Sequence, residues 1–240
     1  MIISIENSTS DLSLTLFNKD SVISHISVPF KNELSEIIVP IIKKFLQSNS
    51  ISLSDVSYLV VGCGPGSFTG IRSIISTALG VTISNSHIKR IGINSLAGLA
   101  MSALHEAKFM KLKYMISSID SKKDDLFLQL FKINNAKNKS LPFIAISDID
   151  TLKIEKLYKF FVDNNLNSKE VLFVGHKLNI AKNIIENLNV SSNSIQHPDS
   201  LGVGKLASYI ISNKISINKN ACAFNKFKPI YARSVQITSK

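Results

Sequence analysis

Residues 58–84, YLVVGCGPGSFTGIRSIISTALGVTIS, restrict the fold more than any other part of the chain. An apolar run leads into a stretch in which Gly62, Gly64, Pro65, Gly66 and Gly70 crowd together, and a helical pattern then continues to about Ser84. Along that helix Gly70, Ser73, Thr77, Gly80 and Ser84 recur at spacings of three and four, a stripe of small residues on one side. Ile71, Ile75, Ala78 and Thr82 lie on the adjacent side, and Ile74 and Leu79 widen the apolar area. A helix that is small or apolar nearly all round is buried, inside its own domain or against a partner. A strand, a glycine turn and such a helix in succession belong to a layered α/β fold.

The flanking segments extend this pattern. MIISIEN reads as a strand, and LSLTLF (12–17) and SVISHISV (21–28) alternate at period two around the turn residues Asn18, Lys19 and Asp20, giving an antiparallel meander. Leu34, Ile37, Ile38, Ile41, Ile42 and Phe45 form one helical face, with Asn32 as N-cap and Pro40 expected to bend the helix. After the glycine stretch and its helix come a strand, IKRIGI, and a helix, SLAGLAMSALHE, capped by Ser95. The order β-β-β-α-β-α-β-α resembles the ribonuclease H-like core of actin, sugar kinases and chaperone ATPases, the actin-like or ASKHA fold.

A second half opens at YMISSID, pairs with LFLQLF across the turn SKKDD, and continues through helix TLKIEKLYKFF, strand VLFVG and helices near LNIAKNIIENL and GKLASYIISN. The expected division is an N-terminal lobe, residues 1–108, carrying the partner-binding helices, and a degenerate C-terminal lobe, residues 109–240.

A glycine turn between strand and helix presents N–H groups at the positive end of the helix dipole, a general anion site. Neither standard phosphate motif is present. No lysine follows Gly70, as G-x-x-x-x-G-K-[ST] requires, and the glycines lack G-x-G-x-x-G spacing. The other reading makes Gly64, Pro65 and Gly66 a tight turn and Ser67 the N-cap.

The formal charge of +11 would suit a phosphate-bearing partner, but it is carried by lysines scattered along the chain, and Arg72, Arg90 and Arg233 are the only arginines. Cys63 and Cys222 have no ligand spacing around them and read as buried small hydrophobes in a reducing compartment. No run of about 18 apolar residues occurs and the N-terminus lacks a basic n-region, so no membrane contact and a cytoplasmic location are expected. The five histidines hold no i,i+4 pair, and Asp120, Asp124 and Asp125 read as a polar hairpin rather than a metal site.

GPGSFTGIR is similar to the signature of the TsaB family, also called YeaZ. GINSLAGLA, SSIDSKKDDLF and KPIYARS resemble further family segments, the last matching Pro-x-Tyr-x-Arg, so the resemblance spans essentially the whole chain. It implies two related actin-like lobes with decayed nucleotide machinery, and a non-catalytic scaffold that pairs with TsaD. That pair makes threonylcarbamoyladenosine next to the anticodon of tRNAs reading codons that start with A.

On this resemblance the partner-binding residues are Gly64, Pro65, Gly66, Ser67, Phe68, Thr69, Gly70, Arg72, Ser73, Thr77 and Gly80 of the signature and its helix, with Leu34, Ile38 and Ile41 of the preceding helix. No catalytic, cofactor or metal residue is assigned to this chain. ATP and a metal are expected in the partner subunits, TsaD and the ATPase TsaE, tRNA binds through the complex, and a homodimer is expected when the chain is alone.

Glu6-Asn7 stands where the family has Asp-Thr, and Lys122 and Lys123 lie near the place of a family arginine. The alternative from the residues is an actin-fold ATPase or small-molecule kinase with phosphates at the glycine loop and a metal at Glu6 and Asp120.

Overall fold

The structure is a computed structural model that describes residues 1–29, 34–121, 124–135, 140–191, 195–217, 222–224 and 226–232, with the side chains of Leu34 and Ser35 outside that description. Asn32, Lys122, Lys123 and Arg233 lie outside the described residues.

Strands β1 (Ile2–Glu6), β2 (Asp11–Asn18) and β3 (Ser21–Pro29) form the expected antiparallel meander. Helix α1 (Leu34–Ser48), strand β4 (Tyr58–Gly62), helix α2 (Phe68–Ser84), strand β5 (Lys89–Ile93) and helix α3 (Ser95–Phe109) follow, and β4 and β5 add in parallel beside β1. Pro40 is accommodated inside a single helical run, with its ring exposed. The cap of α3 is Asn94, whose side chain accepts from the Leu96 N–H, one residue before the expected Ser95.

The second sheet repeats the first. Strands β6 (Tyr114–Asp120), β7 (Asp125–Ile133), β8 (Phe143–Ala145) and β9 (Asp150–Lys153) precede helix α4 (Leu157–Asp163), strand β10 (Val171–Gly175), helix α5 (Leu178–Ile184), strand β11 (Asn189–Val190), helix α6 (Ser200–Ser212) and strand β12 (Ala223–Phe224). The spatial order β5-β4-β1-β2-β3 in the first sheet is matched by β11-β10-β6-β7-β8 in the second. In each sheet the leading strand pairs antiparallel with its hairpin partner on one side and parallel with a crossover strand on the other. This is the ribonuclease H-like arrangement built twice, an actin-like α/β fold.

Residues 151–153, read above as the start of a helix, instead belong to the strand Asp150–Lys153, which pairs with Asp125–Leu128 at the sheet edge, and the helix begins only at Leu157. Helix α6 starts at Ser200, earlier than GKLASYIISN suggests, with Asp199 accepting from the Gly202 N–H.

The layers follow from the cores. Helices α1 and α2 cover one face of the first sheet around Ile38, Phe45, Ile71, Ile74 and Val61, and α4 and α5 cover the outer face of the second around Leu157, Phe161 and Phe173. Between the sheets lie α3 and α6, packed with Leu96, Leu99, Leu206, Phe131 and Phe143. These two helices cross closely because Gly98 and Gly202 lack side chains: a Cβ on Gly202 would fall 2.4 Å from the Gly98 carbonyl oxygen.

The first sheet is completed from far along the sequence, where β12 pairs antiparallel with β5 and α6 packs on β1 and β2. Ser200 is held there by Ser4, Ser13 and Thr15, which satisfies polar groups that the period-two pattern places on a buried face. Cys63 and Cys222 are buried and not joined in a disulfide, and burial pushes both thiols up to about 12.

Candidate functional site

The glycine loop is closed against the β1–β2 turn. Gly64 (φ +91°) and Gly66 (φ +151°) adopt backbone that L side chains rarely take, and a Cβ on Gly66 would fall 2.2 Å from the Ser8 carbonyl oxygen. Three of the donors here are used within the chain. Gly64 N–H donates to Ser95 Oγ at 3.1 Å, Ser67 N–H to the Ser8 carbonyl at 2.7 Å, and Gly70 N–H to Ser67 Oγ at 3.3 Å, which makes Ser67 the N-cap.

Glu6 is buried beneath this loop. Its Oε1 accepts from the Ser8 N–H at 2.6 Å and its Oε2 from Ser95 Oγ at 2.8 Å. Burial pushes its carboxyl above the usual carboxylate range, opposed by these hydrogen bonds. Asp120 ends β6 and lies 3.9 Å from His176, which stacks near His197. Among the described residues no group of three or more His, Cys, Asp or Glu is placed to hold a metal ion. Three of the N–H donors a phosphate would draw on here are engaged within the chain, and the loop's backbone is pressed on Ser8.

Helix α2 turns one side to solvent. Thr69, Arg72, Ser76, Gly80 and Ile83, at spacings of three and four, are exposed, and Ser73 and Thr77 border them half-buried. A Cβ added at Gly80 would have nothing within 4 Å, and Ile83 is 72% exposed. The helix is therefore not enclosed on every side by its own chain, the first of the two readings of its pattern; its outward side carries the small residues Thr69, Ser76 and Gly80 together with Arg72 and Ile83. On neighbouring α1, Val39 and Pro40 are exposed and Ile41 is half-buried.

The stripe read from spacing divides on this geometry. Gly70 faces inward, where a Cβ would fall 2.2 Å from Asn7 Oδ1, so its smallness serves contact within the chain. Ile38 is buried in the core beneath α1, and Gly64, Pro65 and Gly66 shape the loop. Phe68, Thr69, Arg72 and Gly80 are exposed, with Ser67, Ser73 and Thr77 half-buried, while the side chain of Leu34 lies outside the described part. Sequence spacing passed over Ser76, Ile83 and Val39. Ser76 and Ile83 stand four and three residues from Gly80, and a helical projection anchored on the Ile71–Ile74–Ala78 core would find them.

The C-terminal segment meets the signature. Ile230 N–H donates to the Cys63 carbonyl at 2.8 Å, Tyr231 Oη accepts from Arg72 Nε at 2.8 Å, and the Arg72 guanidinium sits 3.7 Å from the Phe68 ring centroid. The Phe68 and Tyr231 rings are 5.6 Å apart. Two separate sequence motifs thus build one exposed aromatic–guanidinium cluster at the start of α2.

Comparison with known proteins agrees with this arrangement. A protein from Buchnera aphidicola (Schizaphis graminum), named tRNA threonylcarbamoyladenosine biosynthesis protein TsaB, is 31% identical over 68% of this chain and 76% of its own length. The chain belongs to the TsaB family. A TsaB from the Buchnera of Acyrthosiphon pisum is 26% identical over 96% of this chain and 97% of its own. The family model described as TsaD: tRNA N6-adenosine threonylcarbamoyltransferase also matches, over residues 29–235. YeaZ from Pseudomonas aeruginosa shares the fold, with a TM-score of 0.71 over 96% of this chain and 98% of that one, at 16% identity. In this TsaB-family chain the GPGSFTGIR signature thus closes the loop on Ser8, caps α2 and joins Tyr231.

Proposed function

We propose that this chain is a non-catalytic scaffold in tRNA threonylcarbamoyladenosine synthesis, binding TsaD through the exposed sides of α1 and α2. The observation that carries this reading is the outward side of α2. It is built from Thr69, Arg72, Ser76 and Gly80 with Ile83 standing 72% exposed, and past Arg72 the small residues Ser76 and Gly80 let a second helix approach closely. The match of a TsaD model to residues 29–235 supports pairing of two like-built subunits through corresponding helices.

In this reading TsaD carries the metal and transfers the threonylcarbamoyl group to the adenosine beside the anticodon, and TsaE supplies ATP chemistry. tRNA engages the complex, and the same α2 side closes on a second copy when TsaD is absent. The reading places the chain in the cytoplasm with the tRNA it serves. No helix among the described residues is long and apolar enough to cross a membrane.

Co-expression with the same organism's TsaD, followed by size-exclusion chromatography with light scattering, tests the proposal. Wild type should elute as a one-to-one complex and Gly80→Leu as separate, folded subunits. A wild-type chain that elutes alone and folded would overturn it. The ATPase or kinase reading draws little support from a loop whose donors are engaged by Ser8, Ser67 and Ser95. It would be restored by ATP hydrolysis from the purified chain that disappears in Glu6→Gln.

A further inference from the structure

Four of the lysines that look scattered in sequence converge at one place, at the opposite end of β6 from Asp120. Lys108 in the last turn of α3, Lys111 and Lys113 in the following connection, and Lys132 near the end of β7 line a cavity of about 640 Å³ with Tyr114. All four lysines are exposed.

The backbone that carries them is fixed. Lys111 N–H donates to the Lys108 carbonyl at 3.0 Å, Leu112 N–H to Ala107 at 2.9 Å, and Ile133 N–H to Lys113 at 2.9 Å. Tyr114 and Lys132 face each other across the β6–β7 ladder. Glu170 pairs with Lys113 at 2.5 Å, which leaves the other three ammonium groups to give the cavity a net positive charge. Phe109, next to Lys108 in the chain at the end of α3, is 83% exposed.

We propose that this lysine-lined cavity, together with the exposed ring of Phe109 next to Lys108 in the chain, is a binding site for the phosphodiester backbone of single-stranded RNA. Lysine ammonium groups are point charges suited to phosphates whose positions vary, and an exposed ring supplies a face on which any base stacks. An acidic protein segment would use the charges but would leave the ring without a planar partner. The proposal does not rest on association with TsaD, because every residue named belongs to the second half of the fold or the end of α3, away from α2.

The test uses the purified full chain and an end-labelled single-stranded oligouridylate, read by fluorescence anisotropy over a series of salt concentrations. Lys108→Gln/Lys111→Gln/Lys132→Gln should weaken binding roughly tenfold or more and reduce the slope of log affinity against log salt by about 2, since each phosphate neutralised on a single strand contributes about 0.7. A control triple, Lys156→Gln/Lys159→Gln/Lys182→Gln, removes the same charge around α4 and α5 and should leave both nearly unchanged. Phe109→Ala should weaken binding several-fold with the slope retained, because stacking is not ionic. Equal losses in the two triples would mean a diffuse field and overturn the site. Failure of wild type to bind, or displacement of the RNA by polyglutamate at matched charge, would overturn it as well.

Discussion

Arg72 Nε donates a hydrogen bond to Tyr231 Oη across 159 residues of sequence, and the same guanidinium lies over the Phe68 ring. The contact joins the start of α2 to the C-terminal segment. Tyr231→Phe keeps the ring and removes the acceptor, so it should cost about 0.5–1.5 kcal/mol in urea denaturation. A double-mutant cycle with Arg72→Ala should give a coupling energy of about 1 kcal/mol, and additive single losses would show that the contact carries no energy.

Two glycines on α2 should respond in opposite directions. Gly80→Ala fills open space in a helix interior, so it should stabilise the isolated chain by about 0.5–1 kcal/mol. Gly70→Ala drives a Cβ against Asn7 and should destabilise by about 1–3 kcal/mol. Chemical denaturation of both variants decides the matter, and equal effects would mean that the two positions do not face different ways.

The α3–α6 crossing tolerates no added volume. Gly202→Ala should lower stability by about 1–3 kcal/mol, because its Cβ meets the Gly98 carbonyl and Ser102 Oγ. A thermal melt drop of several degrees is the expected result, since about 1 kcal/mol corresponds to roughly 2–4 °C in a chain of this size.

Glu6 gives a pH signature. Its folded-state pKa is raised by burial, so the folded protein holds the proton more tightly than the unfolded chain. Stability therefore falls as pH rises from the unfolded value toward the folded one, and the penalty is complete above it. Glu6→Gln removes that ionisation. The variant's melting temperature relative to wild type should climb as pH rises above the ordinary glutamate value of 4.5, and a difference that stays constant with pH would contradict the assignment.

Much of the fold was legible because its signals are local. The meander shows period-two alternation at Leu12, Leu14 and Leu16, and Ser67 was readable as a cap from its place before a helical run. Strand β9 was not, because Thr151–Leu152–Lys153 continues into a helical pattern and only pairing with β7 makes it extended. The candidate face was half legible. Spacing revealed a stripe of small residues, but not that Asn7 would claim Gly70 and rotate the exposed side onto Thr69, Ser76 and Gly80. The lysine cavity was invisible for the same reason, since Lys132 joins Lys108 and Lys111 only when β7 folds back along β6.

The pairing of β12 with β5, and the hydrogen bonds from Asn94 N–H to Cys222 and from Ile230 N–H to Cys63, give the chain a fixed order of completion. During synthesis the first sheet emerges early, yet its β5 edge and the floor of the signature loop stay unfilled until residues 222–232 leave the ribosome. A nascent chain stalled before them would display α2 on an unfinished support, so a fully seated α2 is the mark of translation carried through Tyr231.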